Sequence, residues 1–112
     1  MSSEQVQAGE FISHDAPTEE MGKQRGQQAI EVAEKIGKAI VDKFPKHQLF
    51  VRRTDLNGVN GFVEIALRPD NGGYNQEITC AYSDSFYTRT DMTLKEKAKR
   101  IYDDFKVHFG LK

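Results

Sequence analysis

The sequence predicts an α+β fold of order α-β-β-β-α, with two helices packed on one face of a three- to four-stranded antiparallel sheet. Three observations carry that expectation. Apolar residues recur at helical spacing from Ala29 to Phe44, and alternate with a period of two between Gln48 and Tyr82. Thr93-Leu94-Lys95-Glu96 then has the capping-box pattern ahead of a second amphipathic run. Stacking both helices on one sheet face buries both apolar stripes and leaves the other face open.

Residues 1–14 read as a polar, acidic tail in which Phe11-Ile12 is an isolated apolar pair, and residues 15–112 as a single α+β domain. Asp15 can cap the first helix, Pro17 is tolerated in its first turn, and Glu19-Glu20 suit its positive end. Pro45 disfavours helix at the residue before it, so the helix should end at Phe44. At 100° per residue, Ala29, Ala33, Ile36, Ile40 and Phe44 form one stripe, with Glu31, Glu34, Lys35, Lys38 and Asp42 opposite. Gly22, Gly26 and Gly37 fall on the apolar side. Each costs about 1 kcal/mol against Ala inside a helix. Three on one face predict close backbone approach and mark a candidate self-association stripe.

After Pro45 the period changes. Gln48–Thr54 and Phe62–Arg68 form a hairpin, with Asn57-Gly58 and Asn60-Gly61 as left-handed turn residues. Pro69–Gly73 is a second turn, and Tyr74–Tyr82 a third strand. Residues Phe86–Thr90 fit either a short fourth strand or an extended lead-in. The last helix starts at the Thr93 cap, buries Leu94, Ala98, Ile101, Tyr102, Phe105 and Phe109, and closes at Gly110.

Composition excludes several classes. No run of eighteen apolar residues is present to span a membrane, and the opening residues lack the pattern of a secretory signal. The single cysteine, Cys80, rules out an internal disulfide and a Cys-based zinc site. A cytoplasmic location is the default expectation. Lys plus Arg is 16 and Asp plus Glu 17, but the balance is uneven. Residues 1–20 hold five carboxylates and no Lys or Arg, leaving a mildly basic remainder.

Catalytic chemistry finds few residues to work with. Cys80 and His108 could in principle form a nucleophile and base, but Cys80 shares strand parity with Ile78 and Tyr82 and should face the core. His108 at a helix C-terminus has a structural reason to be there. Counted as an EF-hand loop from Asp55, the sixth and twelfth places hold Asn60 and Ala66 rather than Gly and Glu. Gly72-Gly73 has no Lys-Ser/Thr behind it. No catalytic residue, metal or cofactor is expected.

The face the helices leave uncovered should show Phe50, Arg52, Phe62, Glu64, Ala66, Arg68, Glu77 and Thr79. Phe50, Arg52, Phe62 and Arg68 make a candidate binding surface, since aromatics and Arg are enriched at protein interfaces. The same residues could stack bases and hold phosphates. Lys95, Lys97, Lys99 and Arg100 open the last helix as a second basic feature. The helix, three-strand, helix order with Lys95-Glu96-Lys97-Ala98-Lys99 resembles double-stranded-RNA-binding domains, whose last helix begins with lysines that touch phosphates. That resemblance implies phosphate contact at Lys95, Lys97 and Lys99, and the basic run itself makes Lys95, Lys97, Lys99 and Arg100 candidate nucleic-acid contacts. The Thr54–Gly61 loop, however, lacks that family's Gly-Pro-x-His element, and the approach to the last helix lacks its glycines.

The expectation is a small non-catalytic binding protein acting through its open sheet face or its first helix, on a protein partner or a second copy of itself, with no membrane. The alternative is a nucleic-acid-binding accessory protein using the lysines and the sheet arginines. A third reading is a Cys80-dependent enzyme.

Overall fold

The apolar stripe of the first helix lands where its spacing puts it. In the computed structural model, which describes residues 19–110, α1 (Glu19–Val41) buries Ala29, Ala33, Ile36 and Ile40, and Phe44 is buried just beyond its end. Glu31, Glu34, Lys35, Lys38 and Asp42 lie exposed on its other side. The tail, with Phe11-Ile12, and the capping residues Asp15 and Pro17 lie outside the described residues. Past Pro45 the chain reverses at Lys46, whose φ of 70° is left-handed.

Two long strands follow. β1 (His47–Asp55) and β2 (Gly61–Pro69) pair antiparallel along all nine residues, His47 opposite Pro69 and Asp55 opposite Gly61. The turn between them is tied by side chains. Asp55 Oδ2 accepts from Gly58 N–H at 2.8 Å, and Asn57 Oδ1 accepts from Val59 and Asn60 N–H at 3.0 and 2.7 Å. Gly58 takes the left-handed conformation, φ 83°. Gly61 does not. It opens β2 beside the Thr54 carbonyl and the Arg53 guanidinium, where a Cβ would sit 2.4 and 2.7 Å from them.

The third strand is shorter than its sequence suggests. Tyr74–Gln76 form a 3-10 turn, and β3 (Ile78–Ser83) pairs with β2 from Phe62 opposite Ser83 to Leu67 opposite Ile78. Among the described residues the sheet is three-stranded, in the order β1-β2-β3. Residues 86–88 are helical instead, because α2 spans Asp84–Thr88, and Arg89 behind it is extended. Asp84 and Tyr87, three apart, must both turn inward, which a helical turn allows and a half-buried strand does not. α3 (Leu94–His108) begins with both capping-box hydrogen bonds formed: Thr93 Oγ1 accepts from Glu96 N–H and Glu96 Oε1 from Thr93 N–H.

The core lies between the helices and one sheet face. α1 packs over β1 and β2, α3 against β3 and α1. Val63, Ile65 and Leu67 of β2 are fully buried with Ile101 and Phe105 of α3. Phe44 stacks on Phe109 at 4.9 Å and closes the end of the two helices. The α1 glycines serve this packing. A Cβ at Gly22 would meet the Val59 carbonyl at 2.5 Å, one at Gly26 the Arg53 guanidinium at 2.6 Å, and one at Gly37 the Leu49 methyl at 2.7 Å. Close approach is present, but it is to β1 and its turn in the same chain, which fill the space the self-association stripe at Gly22, Gly26 and Gly37 would have offered.

Candidate interaction surface on the open sheet face

Strand alternation divides two consecutive arginines between opposite faces. Arg53 turns to the core side, where its Nε and Nη2 donate to Asp84 Oδ1 and Oδ2 at 3.1 and 2.7 Å. Arg52 turns to the open side and meets residues that β2 and the position just before β3 deliver there. Its Nη2 donates to Glu77 Oε1 at 2.5 Å and its Nε to Glu64 Oε1 at 3.2 Å. Arg68, four residues beyond Glu64 on the same face of β2, gives Nη2 and Nε to Glu77 Oε2 at 2.6 and 3.0 Å.

Glu77 is the hub of this cluster. Its side chain is only 4% exposed, although it lies on a face that none of the described helices covers. Arg52 and Arg68 close over it from two sides, and their hydrogen bonds and charges hold its carboxyl below the usual range against the opposing effect of burial. The same contacts raise Arg52 further. The two guanidiniums also carry aromatic rings. Arg68 lies 4.3 Å from the Phe50 ring centre, Arg52 lies 5.8 Å from it, and Tyr74 faces both at 5.8 and 5.7 Å. Tyr74 is 71% exposed.

Of the four residues the sequence singled out, Phe50, Arg52 and Arg68 therefore form one cluster. Phe62 lies on the same face at the other end, between Thr54 and Ser83, about 13 Å along β2 from the Ala66 position that Phe50 opposes. Tyr74 was missed. It follows Gly72-Gly73, where the sequence predicts the first residue of a strand, but the 3-10 turn lifts it over the arginines. The cluster contains two guanidiniums and two carboxylates, so its formal charge is zero.

The lysines of α3 separate. Lys97 is buried, and its Nζ donates to the Tyr87 and Arg89 carbonyls at 2.7 and 2.8 Å, tying the end of α2 to α3. The expectation that Lys97 touches nucleic acid is corrected by that position: its ammonium is turned inward. Lys99 pairs with Asp103 at 2.7 Å, one helical turn on. Lys95 and Arg100 are exposed.

Cys80 is buried on the core side of β3, and burial, with the Asp104 charge adding to it, pushes its thiol up to about 12. Such a thiol stays protonated at neutral pH, and His108 sits exposed at the end of α3. His47 packs edge-on against Phe109 at 5.2 Å. Among the described residues, no three His, Cys, Asp or Glu side chains are grouped to hold a metal ion. None of the described helices is long and apolar enough to cross a membrane. Compared with protein-family models, with curated proteins and with solved structures, the chain finds no match.

Proposed function

We propose that this chain is a non-catalytic binding protein whose open sheet face, built on Phe50, Arg52, Arg68 and Tyr74, docks a protein partner. The observation that carries the proposal is the internal neutralisation of the two arginines by Glu77 and Glu64. A phosphate-binding surface gains its affinity from cations left free to replace counterions. Here the guanidiniums are already engaged, and what the face offers is a layer of rings and planar guanidiniums held in place. Immobilised side chains lose less entropy on binding, and aromatic and Arg side chains are the usual anchors of a protein interface.

Two alanine variants and a charge reversal test this. Phe50→Ala and Tyr74→Ala should fold like the parent, yet weaken capture of its partner by about 1–3 kcal/mol each. Reversal of Lys95, Lys99 and Arg100 to Glu should leave capture intact. Loss of binding in the reversed protein with retention in both alanine variants would refute the proposal in favour of a phosphate-led contact, as would salt-dependent retention of the parent on nucleic acid.

A further inference from the structure

β1 is an edge strand without the devices that usually keep another strand away. It pairs with β2 over nine residues without a bulge, contains no proline, and has no other strand among the described residues on its outer side. Edges of this length are commonly shortened, bulged or guarded by free charge. Arg52 and Arg53 are charged, but Glu64 and Glu77 match the first and Asp84 the second.

The phase of the ladder shows which backbone groups face outward. Leu56 N–H donates to the Asn60 carbonyl, and Asp70 N–H to the Lys46 carbonyl, each at 2.8 Å. Both pairs continue the β1–β2 register at its two ends. Hydrogen-bonded pairs alternate in an antiparallel ladder. The even-numbered residues of β1 therefore bond to β2, and His47, Leu49, Val51, Arg53 and Asp55 direct N–H and C=O to the outer side.

We propose that two copies of the chain join through this edge, β1 against β1, antiparallel about a two-fold axis at Val51. The strand's own complementarity selects a second copy as the occupant. Centred at Val51, all nine residues overlap and the outward groups of one copy meet those of the other. His47 then lies opposite Asp55, Leu49 opposite Arg53, Gln48 opposite Thr54 and Phe50 opposite Arg52. No like charges are opposed, and the Phe50–Arg52 contact within each chain is extended across the axis. Moving the axis to Arg52 would set that arginine against itself. Moving it to Phe50 would leave Asp55 beyond the end of the other strand. The result is a six-stranded sheet with both open faces on one side, an isologous arrangement. It goes beyond the docking proposal and does not depend on it.

The mass of the full chain in solution, followed by sedimentation across concentration, tests the pairing. The parent should reach twice 12.7 kDa. Gln48 and Thr54 are exposed, so changes there leave the fold intact, as circular dichroism would verify. Combining Gln48→Lys with Thr54→Lys opposes like charges at both ends of the ladder and should raise the dimer dissociation constant about tenfold or more. Combining Gln48→Glu with Thr54→Lys opposes unlike charges and should restore or tighten the dimer. Val51→Pro, which removes an outward N–H without touching the β2 ladder, should also shift the chain toward monomer. A parent that stays monomeric overturns the proposal, whether residues 1–18 or another protein's strand occupies the edge. A dimer indifferent to both double substitutions overturns it as well.

Discussion

Removing the Asp84 carboxylate should destabilise this domain more than most single surface changes, because it leaves Arg53 with a charge it cannot easily return to water. Asp84 is 2% exposed, and the Arg53 side chain 17%. The guanidinium lies against α1 where Gly26 has no side chain, and its remaining carboxylate, Asp55, is 3.6 Å away and half exposed. Breaking a buried ion pair by deleting one partner costs about 3–5 kcal/mol. Arg53 reaches some solvent and keeps Asp55, so Asp84→Leu should fall near the lower end, about 3 kcal/mol. For a domain of this size that is a fall in Tm of roughly 12–24 °C. Arg53→Met leaves Asp84 buried and unpaired, so its cost should lie higher in the range. The double substitution removes both charges and should cost clearly less than the sum of the singles. Urea unfolding of the four proteins, monitored by circular dichroism, closes the cycle. An Asp84→Leu loss within about 0.5 kcal/mol of zero, the scale of an exposed pair, would refute the reasoning. So would strict additivity.

Three further outcomes are expected. Lys97→Met keeps the apolar stem but leaves the Tyr87 and Arg89 carbonyls without their donor, and should cost about 2–3 kcal/mol in urea unfolding; a variant as stable as the parent would mean that the ammonium does not join α2 to α3. Glu77 has its pKa lowered below the ordinary 4.5 by Arg52 first and Arg68 next, so its contribution is full above that value and is lost as pH falls through the lower folded value. The stability gap between the parent and Glu77→Gln should therefore be constant near neutrality and close only in acid, and a gap that closes instead as pH rises would contradict that sign. Cys80 should react slowly with a thiol reagent in the native protein and quickly in urea, since burial pushes its thiol up to about 12; rapid labelling of the native protein would reopen the nucleophile hypothesis.

The parts of this fold legible in the sequence are those fixed by local period and local chemistry. The α1 stripe, the hairpin alternation and the Thr93–Glu96 box each depend on residues within a few positions of one another, and each appears where its pattern puts it. The sequence could not show α2 in the same way. Its conformation answers to Arg53, 31 positions earlier, which needs a carboxylate inside, and to the Val63 carbonyl, which accepts from Tyr87 Oη at 2.9 Å. A signal was present. Arg53 shares parity with Leu49 and Val51, and an arginine on a buried face calls for an acid somewhere in the chain. Lys97 offered a similar signal, four residues before Ile101 and eight before Phe105, on the stripe those two bury. Its charge concealed its position.

The candidate site was legible by face but not by grouping. Parity correctly set Phe50, Arg52, Arg68, Glu64 and Glu77 on one side of the sheet. It could not show that Glu77 would draw both arginines together, because that depends on the 3-10 turn that ends just before it. This grouping matters for the choice between the two binding hypotheses. Free arginines beside exposed rings would suit phosphates and bases, whereas arginines matched by carboxylates offer a flat, neutral layer. Affinity for such a layer would come from covered rings rather than released counterions, and it should change little with salt. Pairing about Val51 would then enlarge that layer without altering its charge, since Phe50 and Arg52 of one copy would adjoin Arg52 and Phe50 of the other. A partner matched to the paired sheet would cover both copies' clusters at once, and its affinity would fall when the edge is broken even with every residue of the face intact.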